Sequence, residues 1–385
     1  MNPEPAPDPN LPTEPIVRAE MNPPASAAPT VPMDPARVAP TMPMPIVTPA
    51  ARAEGRRCPA CGAAVSIAHR FCEACGRELG ARRVALPHPE TDPVADCAAC
   101  GGRYDADGYC AGCGQLRAPR DRFEADLGAV CLVTDRGIAH ARNEDSVAAA
   151  VVDGAEGTEA VVIVVCDGVS SSEDPQAASG TASRTGVDAG LAALADGLDA
   201  PTAALAGLAA AAKAVAAIGG HESHAPSCTF VSAIVRGCDA ETVEITVANV
   251  GDSRAYWLAA PGTPGSPPTR RLTVDDSWAQ ALVDAGAMDE EAAMKDPRAH
   301  TLLRWLGADS GEQPWSDNSL HTYRVRGPGL LLLCSDGLWN YRPEAEGLAE
   351  LAGAADPMVA ARELVEFALR CGGGDNITVA LAPIT

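Results

Sequence analysis

The stretch that decides the fold is residues 160–168, AVVIVVCDG, and a second stretch of the same kind, LLLLCSDG, covers residues 330–337. Continuous apolar runs of this length, bounded by Gly, are typical of strands that are buried on both faces. Each run ends in Asp-Gly, so a carboxylate lies at the rim of the core. The Gly allows the backbone to turn there and to bring its carbonyl close to the same ligand. Asp167 and Asp336 therefore predict a site for hard divalent cations.

Further strand and helix patterns fill the chain between residues 122 and 383. Strands are expected at 129–134, 146–152, 160–166, 228–236, 242–249, 253–259, 320–326, 329–335 and 376–382. Helices are expected at 175–197, 202–218, 276–286, 343–353 and 356–370. Several strand pairs lie close enough in sequence to form hairpins, which favours antiparallel sheets over repeated βαβ units.

The composition excludes several classes of protein. The 385 residues leave room for one large domain or two, and the formal net charge of −22 argues against a protein that coats nucleic acid. No apolar run reaches the roughly 18 residues of a membrane span, and the N-terminus lacks the pattern of a secretory signal. Fourteen cysteines without such a signal indicate a reducing compartment. We expect a cytoplasmic monomer that binds neither membranes nor nucleic acid.

The N-terminal 52 residues are rich in Pro and Ala and show no apolar periodicity. Such a segment cannot bury enough apolar surface to offset the entropy lost on ordering. We predict a disordered Pro-rich tail over residues 1–52.

Four Cys-x-x-Cys pairs occupy residues 53–118. They are Cys58 and Cys61, Cys72 and Cys75, Cys97 and Cys100, and Cys110 and Cys113. Two pairs supply the four thiolates of a closed tetrahedral zinc site, so the spacing predicts tandem zinc ribbons with two structural Zn²⁺ ions. A Gly follows the second Cys of every pair, as a turn back toward the sulfurs requires. Redox-active dithiols are the alternative. We expect the ribbons to dock proteins rather than nucleic acid.

Short polar motifs follow one another through the remainder of the chain. In order they are Arg142-Asn143-Glu144-Asp145, Asp167-Gly168, Ser227-Cys228-Thr229, Asn249-Val250-Gly251-Asp252-Ser253-Arg254, Leu272-Thr273, Asp336-Gly337 and Asp375-Asn376. Each motif alone is weakly specific, since an Asp-Gly pair is usually only a turn. Together, over residues 122–383, they resemble the metal-dependent protein phosphatases of type 2C (the PPM family), in a bacterial form preceded by zinc ribbons.

The resemblance implies an α+β fold, a four-layer α-β-β-α sandwich of two antiparallel sheets. It also implies two Mn²⁺ or Mg²⁺ ions, with Asp252 helping to hold a third. In the implied ligand set Asp167 bridges the ions, Gly168 offers its carbonyl, Asp336 and Asp375 complete the site, Glu144 and Asp145 hold bound waters, and Asn376 orients Asp375. Independently of the family, oxygen ligands of this kind suit Mg²⁺ or Mn²⁺ better than zinc.

The sequence departs from the family pattern near the substrate. His140 stands where the family commonly has a phosphate-binding Arg, and either His140 or Arg142 could take that role. Val169 replaces an imidazole that would protonate the leaving group, which leaves that step to water. Asp276 stands where His is frequent, at the start of a segment, residues 277–304, that resembles the family's substrate-side flap. These changes concern substrate handling rather than metal binding.

The resemblance implies a phosphatase that hydrolyses phosphoserine and phosphothreonine in proteins through water activated by two ions. Its expected partners are phosphorylated proteins, in particular a Ser/Thr kinase or its substrates, recruited by the zinc ribbons. One alternative is a weakly active or inactive scaffold that works through its ribbons, and another is a phosphatase of small molecules. On the leading hypothesis, removal of residues 1–118 leaves phosphatase activity on a small substrate largely intact.

Overall fold

The computed structural model describes most of the chain after residue 55. The described residues are 56–58, 61–65, 72–76, 81–87, 97, 100–103, 109–114, 122–154, 157–219, 224–238, 242–262, 265–311, 313–353 and 356–385. The chain divides into two units, 1–52 and 53–385, and every described residue lies in the second. The predicted tail at 1–52 lies outside the described residues.

Two six-stranded antiparallel sheets form the centre of the molecule. In spatial order the first sheet contains β14 (Leu320–Val325), β10 (Val243–Val250), β9 (Phe230–Gly237), β7 (Gly157–Cys166), β6 (Ser146–Gly154) and β3 (Ala81–Leu86). The second contains β12 (Arg270–Arg271), β11 (Arg254–Ala259), β15 (Gly329–Cys334), β16 (Ile377–Ile384), β5 (Cys131–Asp135) and β4 (Arg122–Asp126). Two short pairs stand apart, β8 (Ser227–Cys228) with β13 (Leu306–Gly307) and β1 (Arg56–Arg57) with β2 (Ala64–Val65).

Helices cover the outer face of each sheet. The helices are α1 (Pro175–Ala195), α2 (Ala200–Ala216), α3 (Trp278–Asp284), α4 (Glu290–Ala293), α5 (Asp336–Trp339), α6 (Ala345–Leu351) and α7 (Pro357–Cys371). Helices α1 and α2 pack on the first sheet, and α6 and α7 pack on the second. The predicted α+β fold, a four-layer α-β-β-α sandwich, is confirmed.

Three aliphatic cores hold the layers together. The central core lies between the sheets and includes Ile163, Trp257 and Leu331, all fully buried. Strand β7 contributes alternate residues to two cores, since Ile163 faces the other sheet whereas Val162 and Val164 face α1 and α2. This double burial explains why the run at 160–166 has no polar residue. It also fixes where β7 ends, and therefore where Asp167 lies.

The predicted strands and helices between residues 129 and 382 are all present, with ends shifted by a few residues. Strand β3 was not predicted. It lies inside the segment assigned to zinc ribbons, yet it pairs with β6 over six residues, from Ala81 opposite Val152 to Leu86 opposite Val147. Residues 81–86 are thus the edge strand of the first sheet, and the 53–118 segment is not a separate module along its whole length.

Among the described residues, no helix combines the length and the apolar character that are needed to cross a membrane.

Candidate metal centres

A cleft of about 590 Å³ opens where β7 and β15 end. Its lining includes five of the predicted site residues, which are Asp167, Gly168, Asp252, Asp336 and Asp375. The rest of the wall comes from the loop after Gly168, from the segment that includes the Ser-Cys-Thr motif, and from the predicted flap and the residues just after it. These residues are Val169, Ser170, Ser171, Ser172, His224, Ala225, Ser227, Thr229, His300, Thr301, Leu302, Trp305 and Asp309. The sequence motifs from five separate parts of the chain therefore converge on one cavity.

Asp167 is held by hydroxyl groups from two other motifs. Its backbone N–H donates to Thr229 Oγ1 over 3.0 Å, and the Thr229 N–H donates to the Asp167 carbonyl over 2.7 Å. Thr229 Oγ1 is also 2.7 Å from Ser253 Oγ, and both hydroxyl groups are buried from water. The Ser-Cys-Thr and Gly-Asp-Ser-Arg motifs thus serve to fix the backbone of the first carboxylate.

Gly168 occupies a position where no side chain fits. A Cβ atom there would lie 2.7 Å from the Glu144 carbonyl oxygen and 2.8 Å from Pro175 Cβ, and both distances are shorter than real Cβ contacts. The Gly of the first Asp-Gly pair is therefore required for the close approach of the 144–145 loop to the end of β7.

Asp145 and Asp336 meet through the residue between β15 and α5. Ser335 Oγ donates to Asp145 Oδ2 over 2.7 Å, and Asn340 Nδ2 donates to Asp336 Oδ2 over 3.0 Å. The other oxygens, Asp145 Oδ1 and Asp336 Oδ1, are buried and have no hydrogen-bond partner among the described residues. Two buried, unpaired carboxylate oxygens cost free energy unless a cation or water satisfies them.

The loop that carries Glu144 and Asp145 is fixed by Asn376. Asn376 Oδ1 accepts a hydrogen bond from the Glu144 N–H over 2.7 Å, and its Nδ2 donates to the carbonyls of Arg136 and Arg142. Asn376 was expected to orient Asp375, and its backbone N–H does donate to Asp375 Oδ1 over 2.8 Å. Its side chain, however, bonds the opposite loop, because the amide points across to the chain segment before β6.

The buried carboxyls of the site have raised pKa values. Burial, followed by the charge of Asp145, raises the pKa of Asp167 well above its usual value. Burial raises the pKa of Asp145 to about 7 and that of Asp336 to about 6, and the charge of Asp375 adds to both. Burial and then Asp336 also raise the pKa of Asp252. The free carboxylates therefore repel one another in a poorly solvated space.

This arrangement fits divalent cations. The unpaired oxygens of Asp145 and Asp336 and the mutual repulsion of four buried carboxyls are both relieved by positive charge in the cleft. An all-oxygen donor set with room for water matches the preference of Mg²⁺ and Mn²⁺. Asp167, Asp336 and Asp375 would hold such ions directly, together with the Gly168 carbonyl.

The two candidates for phosphate binding lie in different surroundings. His140 Nε2 is 3.1 Å from Asp375 Oδ1, at the edge of the cleft. Arg142 Nε is 2.9 Å from Glu144 Oε1, and the Arg142 side chain is 56% exposed. Glu144 Oε2 in turn accepts from Ser170 Oγ in the cleft wall over 2.6 Å. Both residues therefore contact a carboxylate of the predicted metal site. The partner of His140 is Asp375, and the partner of Arg142 is Glu144.

Two aromatic side chains and a guanidinium form a stack beside Asp252. Arg254, buried in an ion pair of 2.6 Å with Asp275, places its guanidinium carbon 3.5 Å from the centre of the Trp339 ring. His300 stacks on Trp339 with 5.9 Å between ring centres, and the Trp339 indole N–H donates to the Asp252 carbonyl over 2.9 Å. Burial, and then the charge of Arg254, lowers the pKa of His300.

His300 also brings an imidazole to the carboxylates. One of its ring nitrogens, one oxygen of Asp252 and one oxygen of Asp336 all lie within 4.8 Å of one another. The sequence had indicated only that residue 300 belongs to the flap, and Trp339 had no assigned role. Neither contact has a local sequence signal, because both join residues that are distant in the chain.

Asp276 anchors the flap at both of its ends. Its carboxylate accepts from Arg304 over 2.7 Å and from the Gly251 N–H over 3.2 Å. Its backbone N–H donates to the Gly251 carbonyl, and its carbonyl accepts from the Leu303 N–H, both over 2.8 Å. Burial raises the pKa of Asp276. One residue thus connects the Asp252 loop with the beginning and the end of the flap.

The eight clustered cysteines form two groups of four. In the first group Cys58 Sγ is 3.6 Å from Cys75 Sγ, and Cys61 Sγ is 3.6 Å from Cys72 Sγ. In the second group Cys97 Sγ is 3.7 Å from Cys113 Sγ, and Cys100 Sγ is 3.4 Å from Cys110 Sγ. These distances are much longer than a disulfide of about 2.05 Å. They approach the edge of about 3.8 Å that a tetrahedron with Zn–S bonds of about 2.3 Å requires.

The glycines after each second cysteine adopt left-handed backbone. Gly62, Gly76, Gly101 and Gly114 have φ between +70° and +73°. The N–H groups of Gly62, Gly76, Gly101 and Gly114 each donate to the carbonyl of the first Cys of their pair. This repeated turn confirms the expected role of the glycines and leaves both groups fit for a closed zinc site.

Comparisons with known proteins give similarities to phosphatases. No family model matches the chain. The serine/threonine phosphatase stp of Listeria innocua is 37% identical over 138 residues, 36% of this chain and 51% of that protein. The serine/threonine protein phosphatase PstP of Mycobacterium tuberculosis is 32% identical over 138 residues, 36% of this chain and 24% of that protein. The chain spans about half the length of the first of these relatives.

Solved structures give the same result over a longer part of the chain. The crystal structure of the Mycobacterium tuberculosis serine/threonine phosphatase PstP/Ppp superposes with a TM-score of 0.50 at 27% identity and covers 66% of this chain and 97% of that one. The Staphylococcus aureus serine/threonine phosphatase Stp1, at 22% identity and a TM-score of 0.50, shares the fold. In the sandwich fold, and over parts of its sequence, the chain is thus similar to serine/threonine phosphatases.

Proposed function

We propose that this chain is a metal-dependent protein phosphatase that hydrolyses phosphoserine and phosphothreonine in proteins, with two Mn²⁺ or Mg²⁺ ions in the cleft. The observation that carries the proposal is the convergence of Asp167, Asp252, Asp336 and Asp375 on one open cavity, beside the buried Asp145. A protein gains nothing in stability from collecting like charges in a poorly solvated place. Such an arrangement is typical of a site that works with bound cations.

The chemistry divides between the ions and the residues around them. When bound, two divalent ions lower the pKa of a water and neutralise charge on the phosphoryl group. The protein's own part is to hold the donors rigid. Thr229 and Ser253 fix Asp167, Ser335 fixes Asp145, and Asn376 fixes the Glu144 loop. Rigid placement of charge is the main source of acceleration when there is little covalent chemistry for the protein to do.

Substrate binding falls to the rim of the cleft. We assign the phosphate to His140, since its partner Asp375 lines the cleft, whereas neither Arg142 nor its partner Glu144 does. Val169 places an apolar side chain in the wall, and the lowered pKa of His300 favours the neutral imidazole. We therefore assign protonation of the leaving oxygen to water, which the open cleft admits.

The Cys clusters supply the proposed recruitment function. We propose that each holds one structural Zn²⁺ and that together they dock the enzyme on a Ser/Thr kinase or its substrates. The net charge of −22 favours basic phosphopeptides by electrostatic complementarity. The same charge disfavours nucleic acid as a partner. A monomer that acts in the cytoplasm, away from membranes, completes the proposal.

The test is phosphate release from a phosphothreonine peptide with Mn²⁺, with EDTA and with the Asp167→Asn variant. Release that needs Mn²⁺ and is lost in both controls supports the phosphatase. His140 and Val169 are the two departures that favour the alternative, a weakly active scaffold that works through its Cys clusters. That alternative predicts no release from folded wild-type protein that binds Mn²⁺.

A further inference from the structure

The edge strand β3 connects the two Cys clusters through the catalytic sandwich. Five residues separate Cys75 of the first cluster from Ala81, where β3 begins, and ten separate Leu86, where it ends, from Cys97 of the second. Five residues reach at most about 18 Å when fully extended. The first cluster is therefore tethered close to one end of a strand that belongs to the first sheet.

Strand β3 contacts both of its neighbouring layers. Arg83 Nη1 is 2.5 Å from Asp188 Oδ1 on α1, and Arg82 donates to the Leu127 carbonyl beside the second sheet. The Leu86 side chain is completely buried in the central core with Leu132 and Val147. The six residues of β3 thus contact helix α1, the rest of the first sheet and the turn between β4 and β5.

The end of β3 lies against the metal centre. Ser146 Oγ donates to the Leu86 carbonyl over 3.0 Å and lies 2.8 Å from Ser183 Oγ on α1, and all three residues are buried. Ser146 directly follows Asp145, and it pairs across the sheet with Cys166, which directly precedes Asp167. Ser146, which holds the end of β3, is therefore adjacent in sequence to Asp145. Its cross-strand partner Cys166 is adjacent in sequence to Asp167.

We propose that β3 is a positioning element of the metal centre, and that Ser146, through the Leu86 carbonyl, makes cation affinity at Asp145 and Asp167 depend on the Cys clusters. The inference rests on the metal-dependent function proposed above. A closed four-thiolate site would fix the chain at Cys75, five residues before β3, and at Cys97, ten residues after it. When a cluster loses its ion, the freed chain gains conformational entropy, and β3, an edge strand whose only ladder partner among the described strands is β6, is the element that this gain acts on directly.

The consequence at the metal centre follows from the contacts. If β3 opens at Leu86, Ser146 loses its carbonyl partner and the backbone that orients Asp145 and Asp167 loses a support. Outer partners that orient metal ligands contribute strongly to affinity, and their loss costs roughly tenfold or more. The coupling is reciprocal, so Mn²⁺ bound in the cleft should also favour the ordered, metal-bound state of the Cys clusters, by the same free energy.

The experiment measures Mn²⁺ affinity of the full chain by electron paramagnetic resonance of free Mn²⁺, with no turnover involved. The variants are Ser146→Ala, the double variant Cys72→Ser with Cys75→Ser, and the combination of all three changes. Controls are Ser232→Ala, a buried serine that donates to the Ala248 carbonyl within the same sheet, and Cys238→Ser with Cys371→Ser, two exposed cysteines outside the clusters. Thermal unfolding of each protein reports stability separately.

We expect Ser146→Ala to weaken Mn²⁺ binding roughly tenfold. The cluster variant should weaken Mn²⁺ binding by at least about threefold. A change at a distant site that is not coupled to the metal centre would alter the dissociation constant by no more than about twofold. Because both changes act through one contact, the combined variant should bind no more weakly than Ser146→Ala alone. The controls should bind as wild type does.

Cluster variants with a lower Tm and an unchanged dissociation constant for Mn²⁺ would overturn the proposal, because a purely structural strand gives that result. Additive effects in the combined variant would overturn it too. Both outcomes differ from failure of the proposed function, which would appear as normal Mn²⁺ binding and coupling without phosphate release.

Discussion

The imidazole Nε2 of His140 lies 3.1 Å from Oδ1 of Asp375, so the residue in the phosphate-binding position is bonded to a residue of the predicted ligand set. The His140 side chain is 26% exposed and the Asp375 side chain 40% exposed, which leaves both accessible from the cleft. With the roles proposed above for the two residues, substrate and cation binding would share this contact. An Arg at this position would combine the same contact with a bidentate grip on phosphate.

We expect His140→Arg to strengthen product inhibition by inorganic phosphate and His140→Ala to weaken it. A charge-assisted bidentate contact corresponds to a change of roughly tenfold in the inhibition constant. The measurement is that constant at saturating Mn²⁺ for the three proteins. Equal values in all three would show that His140 serves only as a partner of Asp375.

Asp336→Asn should abolish phosphate release without unfolding the protein. The amide removes one charge from the proposed ligand set, and loss of one group that stabilises transition-state charge costs roughly 10²–10³ in rate. The same change relieves repulsion among buried carboxyls, so the Tm of protein without added Mn²⁺ should rise. Asp317→Asn, on an exposed turn, is the matched control and should change neither quantity. Full turnover in Asp336→Asn would refute its place in the metal site.

Stability without added divalent cations should fall as the pH rises. The pKa of Asp145 is raised to about 7 and that of Asp336 to about 6, chiefly by burial. An unfolded Asp has a pKa of about 3.9, so the folded protein binds more protons than the unfolded chain between about pH 4 and 7. The stability contributed by the two groups is complete below about pH 4 and is lost as the pH passes through 6 and 7.

Added Mn²⁺ should reverse this loss. Because Mn²⁺ competes with protons for the same oxygens, it should raise the Tm more at about pH 7.5 than at about pH 5. Thermal scans with and without Mn²⁺ at the two pH values test the expectation. An equal increase at both would mean that these carboxyls do not bind the ion.

Asp276→Ala should loosen the flap. The change removes the acceptor of Arg304, which closes the flap on itself, and of the Gly251 N–H, which connects the flap to the Asp252 loop. We expect a several-fold rise in KM for a phosphoprotein, a smaller change for p-nitrophenyl phosphate, and faster tryptic cleavage at Lys295 and Arg298. Asp284→Ala, on the outer part of the flap, provides the comparison. Parallel changes for both substrates would place the effect at the metal centre instead.

Leu86→Ala should destabilise the catalytic sandwich although residue 86 lies between the Cys clusters. The side chain is fully buried in the central core, and truncation of such a leucine costs about 2–5 kcal/mol. Urea unfolding measures the loss, and Leu205→Ala, an exposed position on α2, should cost far less.

A chain that begins at residue 119 lacks β3 altogether. It should therefore be less stable than one that begins at residue 80, whereas the sequence-based expectation concerned activity on a small substrate, which was to remain largely intact without residues 1–118.

The elements that sequence patterns predicted are those whose burial is encoded locally. The run at 160–166 is apolar throughout because both faces of β7 are covered, and the Asp-Gly pairs mark where β7 and β15 end. Strand β3 escaped prediction because Arg82 and Arg83 interrupt its apolar pattern, and because it becomes a strand only by pairing with β6. Helix α5 is a single turn, too short to show periodicity.

The site divides in the same way. The carboxylates were predictable, because their motifs are contiguous and the chemistry of hard cations restricts the ligands. The residues that orient them were not assigned that role, since Thr229, Ser253 and Ser335 act across strands that are distant in the chain. Asp276 was noted as a departure from the family pattern, but its role depends on Arg304, which follows it only after the whole flap.

The stack of His300, Trp339 and Arg254 gives the molecule an optical reporter of its own. The Trp339 indole lies between an imidazole and a guanidinium, and its N–H donates to the Asp252 carbonyl. The intensity and wavelength of its fluorescence depend on the groups that contact the two faces of the ring. Departure of the flap removes His300 from one face while Arg254 stays on the other. Trp339 fluorescence should therefore follow the opening and closing of the cleft in real time, in unlabelled protein and during turnover.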